Sequence, residues 1–249
     1  MKGRTGGLPP VIAAAWGLGE RAARGPKRGL SPERIVAAAV KVAVSEGLGA
    51  VSMGRVAAEL GASTMSLYRY LSSKDELLVL MVDAAFGAPE TATPAEGWRA
   101  GLSRWARAHR EVLRRHPWVL SVPISGPPLT PHQVAWLEWG LASLSDTGLA
   151  EEEKLSVMIL LSGFVRNEAT LNASITEALR AAGSNEEELA TGYGRMLDGL
   201  TATGRFPALR RMIAAGVFAG SGRPDDDFEF GLERVLDGID SLVRERGES

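Results

Sequence analysis

Apolar residues recur along this chain at helical spacing, and no stretch shows the sustained alternation of a strand. Ser31-Pro32-Glu33 reads as a helix start, and Ile35, Val36, Ala39, Val40, Ala43 and Val44 follow as the buried stripe of a helix that stops at Glu46-Gly47. Ser52 caps a second helix of about two turns, with Met53, Val56, Ala57 and Leu60 inward and Gly61 as its stop. Ser63 caps a third, which runs to Tyr70 with Leu67 and Leu71 as its apolar face. Lys74 to about Phe86 forms a fourth, carrying Leu77, Leu78, Leu80, Met81 and Val82. Gly87 to Pro94 breaks the pattern and marks a domain boundary. Helix-length segments follow at about 95–115, 117–122, 131–146, 150–180, 186–202, 207–215 and 226–246. The fold class is therefore all-α, with an extension at 1–30, a helix-turn-helix domain at 31–86 and a helical bundle at 94–249.

The second and third helices, joined by a tight turn at Gly61, have the form of a unit that sets its second helix into the DNA major groove. Thr64, Met65, Ser66, Tyr68, Arg69 and Tyr70 are left facing outward on that helix. Thr64, Met65 and Arg69 suit base edges, Arg69 through a fork that matches guanine O6 and N7. Ser66, Tyr68 and Tyr70 suit phosphates, as does Lys74 at the positive start of the next helix, with Ser52 and Arg55 in support. An ordinary helical hairpin with Tyr68 and Tyr70 half-buried would share the bare pattern.

The order Leu60-Gly61-Ala62-Ser63, Leu67-Tyr68-Arg69-Tyr70-Leu71 and Ser73-Lys74-Asp75-Glu76-Leu77-Leu78 resembles the DNA-binding domain of the TetR-type transcriptional regulators. With Ile35 to Val56 upstream, the resemblance covers about 55 residues. It implies a double-stranded DNA operator as partner.

Charge changes the picture in the same direction. Residues 1–75 carry eleven Lys or Arg against five Asp or Glu, while the whole chain is at −2, so a basic head precedes an acidic body. Within the extension, Arg21, Arg24, Lys27 and Arg28 form a flexible basic arm that could follow phosphates or do nothing specific. Its apolar piece, Val11 to Ala23, is too short to span a bilayer and lacks a signal-type cleavage site, so no membrane partner is expected. The absence of cysteine among 249 residues excludes disulfides and thiolate chemistry and permits a cytoplasmic location.

Five of the six tryptophans, Trp98, Trp105, Trp118, Trp136 and Trp139, lie between residues 98 and 139. Such density fills a core, or lines a pocket for a flat apolar effector. Met158 and Phe164 are further candidate lining residues, and His109, Arg166, Asn167 and Glu168 are candidate polar contacts, the last three interrupting an apolar run. Segments 150–172 and 226–246 are apolar around more than one stripe, with Gly231 and Gly238 permitting close approach. That excess suits either a four-helix interface of a homodimer or the centre of one bundle.

His116-Pro117-Trp118 and Trp136-Leu137, with the later long apolar helix, are similar to the subgroup with a tetracycline-repressor-like C-terminal domain. That resemblance implies a homodimeric repressor released by a small molecule. No histidine precedes Arg107, where tetracycline-binding members offer one to drug and magnesium, so neither is expected and no metal or cofactor is assigned. Catalysis finds no support: His109, His116 and His132 lack HExxH spacing, and neither a GxSxG elbow nor a GxxxxGK[ST] loop occurs. The remaining alternatives are a DNA-binding activator or architectural protein without a ligand, with a solid core, and a small-molecule enzyme lacking any visible acid-base constellation.

Overall fold

The computed structural model describes residues 9–18, 29–89, 97–124, 126–202, 205–218 and 224–247. Among these the regular elements are all helical: α1 (Pro10–Ala15), α2 (Pro32–Glu46), α3 (Met53–Glu59), α4 (Thr64–Tyr68), α5 (Lys74–Phe86), α6 (Gly97–Arg115), α7 (Pro131–Ser143), α8 (Glu151–Ala182), α9 (Glu186–Leu200), α10 (Pro207–Ala214) and α11 (Pro224–Gly247). Short 3-10 turns stand at Leu48–Ala50 and Pro117–Ser121. None of these helices is long and apolar enough to cross a membrane.

Serine starts every helix from α2 to α5. Ser31, Ser52, Ser63 and Ser73 each accept with Oγ from the backbone N–H three residues on, at 3.3, 3.1, 3.3 and 3.1 Å. Each thereby satisfies one donor that a helix start leaves open. Between α3 and α4 the chain reverses at Gly61, whose φ of +63° only glycine adopts freely. Gly61 N–H donates to Ala58 O at 3.1 Å and Ala62 N–H to Ala57 O at 2.9 Å, which closes α3 as a Schellman motif. Leu67 and Leu71 then enter a core shared with Ile35, Ala39, Val56, Leu77 and Met81.

On α2 the buried face differs from the expected one. Val44 is exposed, and Val42 and Ala38 are buried instead. The cause is angular: at about 100° per residue, Val44 lies roughly 140° around the helix from Ala39, whereas Val42 lies within about 60° of it.

The apolar piece of the extension opens with α1, and Ile12 and Ala13 within it are buried. Trp16, just after it, donates its indole N–H to Leu129 O at 2.7 Å. The basic positions Arg21, Arg24, Lys27 and Arg28, and residues 90–94 of the expected boundary, lie outside the described residues.

In the second half, α6 and α11 run antiparallel, joined by arginines facing acids. Arg99 meets Glu233 and Asp237, Arg107 meets Glu229, and Arg110 meets Asp225. Hydrogen bonds from Arg99, Arg107 and Arg110 hold Asp237, Glu229 and Asp225 below the usual carboxylate range. Arg110 goes further: Nε and Nη2 fork onto Glu168 of α8 at 2.9 and 2.7 Å, and the guanidinium lies 4.3 Å over the Phe228 ring. One cation thus ties α6, α8 and α11 together. Gly231 allows α11 to approach α8, since a Cβ there would stand 2.6 Å from the Phe164 ring. Gly238, by contrast, faces open space.

Side-chain exposure separates these pairs energetically, because Arg110 and Glu168 are 8% and 13% exposed and Arg107 and Glu229 are 47% and 43%. Arg110→Ala leaves a buried carboxylate without its cation and should cost about 3 kcal/mol or more. Arg107→Ala should cost no more than about 1 kcal/mol. Urea denaturation at one fixed protein concentration measures both, and equal losses would refute the distinction.

Candidate functional site

Burial of Leu67 and Leu71 dictates what α4 offers to its surroundings. Met65, Tyr68 and Tyr70 stand 74%, 45% and 38% exposed, Arg69 and Lys74 are exposed, and Thr64 and Ser66 are half-buried. Neither Arg69 nor Lys74 has an ion-pair partner among the described residues. Ser66 Oγ lies 2.8 Å from Ser63 Oγ. The surface therefore combines one free guanidinium, one free ammonium at a helix start, two phenols and an apolar tip.

Ser52 and Arg55 are engaged within the protein. Ser52 caps α3, while Arg55 places Nε at 3.2 Å from Glu46 and Nη1 at 3.0 Å from Glu59, which also pairs with Lys41 at 2.7 Å. Hydrogen bonds to both glutamates raise the Arg55 pKa. Arg55 braces α3 against the end of α2.

Behind this surface, α5 leads to a cluster of rings. The His109 ring lies tilted at 4.6 Å from Trp105, at 4.9 Å from Phe86 and at 5.6 Å from Trp136, whose ring is in turn 5.3 Å from Trp139. Trp105 Nε1 donates to Trp136 O at 2.8 Å, and Trp136 Nε1 to Gly87 O at 3.0 Å. His109 Nδ1, Trp139 Nε1 and Thr130 Oγ1 are buried without a hydrogen-bond partner. Native interiors leave few such atoms, and these three are candidates for a ligand's polar groups. Burial, assisted by the Arg166 charge, pulls the His109 pKa down to about 3, so its imidazole is neutral.

The structure gathers only part of the expected lining. Trp105, His109, Trp136 and Trp139 form the cluster, and buried Met158 reaches the α7 backbone at Gly140. Half-buried Trp98 packs on the general core, Trp118 sits beside His116 at 6.2 Å, and Phe164 stacks on Phe228 at 5.6 Å. Asn167 is exposed on α8. Glu168 is held by Arg110, and Arg166 donates to Leu120 O at 3.0 Å and Val122 O at 3.3 Å, which satisfies the end of the 3-10 turn. Two members were missed. Phe86 ends α5 and its ring enters the cluster, and Asp83, an acid among apolar neighbours, is buried.

A separate surface lies on α8 and α11. Leu155, Ile159, Leu160 and Leu171 are 45–66% exposed along α8. An open groove between the helices is lined by Val157, Leu160, Val235, Gly238, Ile239 and Leu242, with Glu152, Glu153, Ser156 and Arg234 as its polar members. Exposed apolar residues around α8 beside such a groove suit an association face.

Residues 35–81 match the family described as "Bacterial regulatory proteins, tetR family", and residues 88–243 match "Tetracyclin repressor-like, C-terminal domain". Over 251 residues the chain is 40% identical to the HTH-type transcriptional repressor DrrR1 of Streptomyces coeruleorubidus, covering 98% of this chain and 90% of that protein. The crystal structure of apo ActR from Streptomyces coelicolor is similar at 31% identity and a TM-score of 0.73, covering 91% of this chain and 99% of ActR. ActR in complex with actinorhodin is similar at 30% identity and a TM-score of 0.72, covering 86% and 99%.

The depressed His109 pKa has a measurable consequence. Unfolded, the imidazole takes up a proton near pH 6.5; folded, it does so only near pH 3. Its contribution is complete above pH 6.5 and is lost as pH falls towards 3, at up to about 1.4 kcal/mol per pH unit. His109→Phe removes that term. The wild-type minus variant unfolding free energy, from urea titrations between about pH 8 and about pH 5, should be level at the alkaline end and fall below about pH 6. A level difference throughout would show that the imidazole charges freely in the folded state.

Proposed function

Because the chain belongs to the tetR family of bacterial regulatory proteins and ends in a tetracyclin repressor-like domain, we propose that it is a homodimeric repressor released from a palindromic operator by a small aromatic effector. The observation that carries the DNA-binding half is the outward surface of α4, whose Arg69 has no ion-pair partner among the described residues, set on the buried pair Leu67 and Leu71. Residues 31–86 serve as the reading domain and 94–249 as the regulatory and dimerisation domain.

Two copies of α4 occupy successive major grooves about 34 Å apart, so the operator is a near-palindrome. Thr64, Met65 and Arg69 meet base edges, and Ser66, Tyr68, Tyr70 and Lys74 meet phosphates. Ser52 and Arg55 support them by fixing α3. The apolar face of α8 and α11 joins the two protomers, and the open space before Gly238 admits the second backbone.

The effector binds at the ring cluster. ActR, whose C-terminal half shares this fold, was crystallised with actinorhodin, and here the rings of Trp105, Trp136 and Trp139 supply the flat surface for an aromatic molecule. His109 Nδ1, Trp139 Nε1 and Thr130 Oγ1 are the polar contacts offered. A ligand-independent regulator would leave those three atoms unsatisfied, and the histidine that does meet an acid, His132 beside Asp83, does so where that carboxylate caps a helix. The protein acts in the cytoplasm.

Selection from random duplexes, followed by gel shifts, tests the reading. Arg69→Ala should weaken operator binding by about 1–3 kcal/mol and relax the preference at one base pair per half-site. Lys74→Ala should weaken operator and random DNA alike and make the slope of log affinity against log salt shallower by about one for each phosphate it neutralises. Equal losses on both DNAs for Arg69→Ala would remove its base-reading role, and a failure to enrich any duplex would refute the function.

A further inference from the structure

The start of α7 is capped from another helix. Its own N-cap residue, Thr130, is a good capping type, yet its hydroxyl is buried and makes no hydrogen bond. Pro131 has no N–H. The two next donors, His132 N–H and Gln133 N–H, both go to Oδ1 of Asp83 on α5, at 2.9 and 3.1 Å. Asp83 Oδ2 is 3.0 Å from His132 Nδ1, which also lies 3.1 Å from Asp83 O. A carboxylate at the positive end of a helix is electrostatically favoured.

One turn further along both helices the link is repeated: Trp136 Nε1 donates to Gly87 O, the residue that ends α5. Phe86, between the two levels, stands edge-on to Trp136 at 5.7 Å and to His109 at 4.9 Å. Leu129 O, immediately before Thr130, accepts from Trp16, so α1 reaches the same turn. The first turn of α7 thus receives the helix that follows the reading surface and also the N-terminal extension.

We propose that Asp83 is the positioning residue that couples the reading head to the ring cluster, by capping α7 from α5. Movement of α7 against α6 and α8 must carry α5 with it or strip two partly buried donors of their acceptor. Local stability of α7 does not require this arrangement, because a residue at position 130 could cap the helix from its own chain. This inference rests on the function proposed above and adds the residue through which its two halves communicate.

The protein reports on its own coupling, since five of its six tryptophans lie between residues 98 and 139 and none between 31 and 86. Addition of a duplex selected by the wild-type protein should change the tryptophan emission. The test variants are Asp83→Ala, which removes the acceptor that ties α7 to α5, and Asp83→Asn, which keeps an amide oxygen for both N–H groups. Read below the melting temperature of each, both should bind the duplex, and the emission change should fall by at least about fivefold in Asp83→Ala and stay within about twofold of the wild type in Asp83→Asn. A full emission change in Asp83→Ala would overturn the proposal, since Asp83 would then be only a cap. So would wild-type protein that binds the duplex with no change in emission, and that result would leave the function intact. If no duplex is bound at all, the function fails and this inference with it.

Discussion

A helix of five residues has too few internal hydrogen bonds to persist alone, and α4 is such a helix. Its existence depends on two leucines. Leu67 and Leu71 are 0% and 1% exposed, and burial of each contributes about 2 kcal/mol, enough to hold a segment that propensity would not. The same burial fixes rotation about the helix axis, so that Met65, Tyr68 and Arg69 cannot turn inward without Leu67 turning out. Ser63 and Gly61 set the direction of approach. Because Leu77 and Met81 of α5 belong to the same core, a displacement of α5 is felt at the reading surface as a change of position rather than a loss of structure.

The distribution of charge follows from which cations are already paired. Arg55, Arg99, Arg107, Arg110 and Arg246 all face carboxylates of the same chain, whereas Arg69 and Lys74 do not among the described residues. Pairing cancels most of a cation's distant field, so Arg69 and Lys74 keep theirs for a polyanion at α4 and the start of α5. The acidic body repels DNA elsewhere, which favours one docking orientation over others.

Local chemistry made the head legible in the sequence, and non-local chemistry hid much of the candidate effector site. Serine caps, the Gly61 turn and the Leu67 and Leu71 spacing act within a few residues, and each was readable. Glu168 looked like a ligand contact because its partner, Arg110, lies 58 residues away on another helix. Asn167 stands one residue from Arg166 but about 100° around α8, on the exposed side. Trp118 and Phe164 have the composition of the ring cluster but belong to other contacts, since aromatic content specifies burial and not which rings meet. Asp83 was unreadable for the opposite reason: an acid near the end of a helix reads as solvated until the helix it caps is placed against it.

At the site proposed for the effector, the balance within the ring cluster constrains its chemistry. Ring pairs of this kind contribute about 0.5–1.5 kcal/mol each, and a flat molecule inserted among Trp105, His109, Trp136 and Trp139 replaces contacts of one ring with another by contacts of similar strength. Stacking alone therefore yields little net preference between two arrangements of the bundle. Reversing a 99:1 population requires about 5.5 kcal/mol of differential affinity. Three buried polar atoms without partners are a larger reservoir, since each costs about 1–3 kcal/mol until it is satisfied. At the proposed site, an aromatic molecule whose polar atoms satisfied these groups would draw on that reservoir, and its bare hydrocarbon analogue would not. Because Thr130 begins the helix that Asp83 caps, a hydrogen bond formed there acts on the same turn that holds α5.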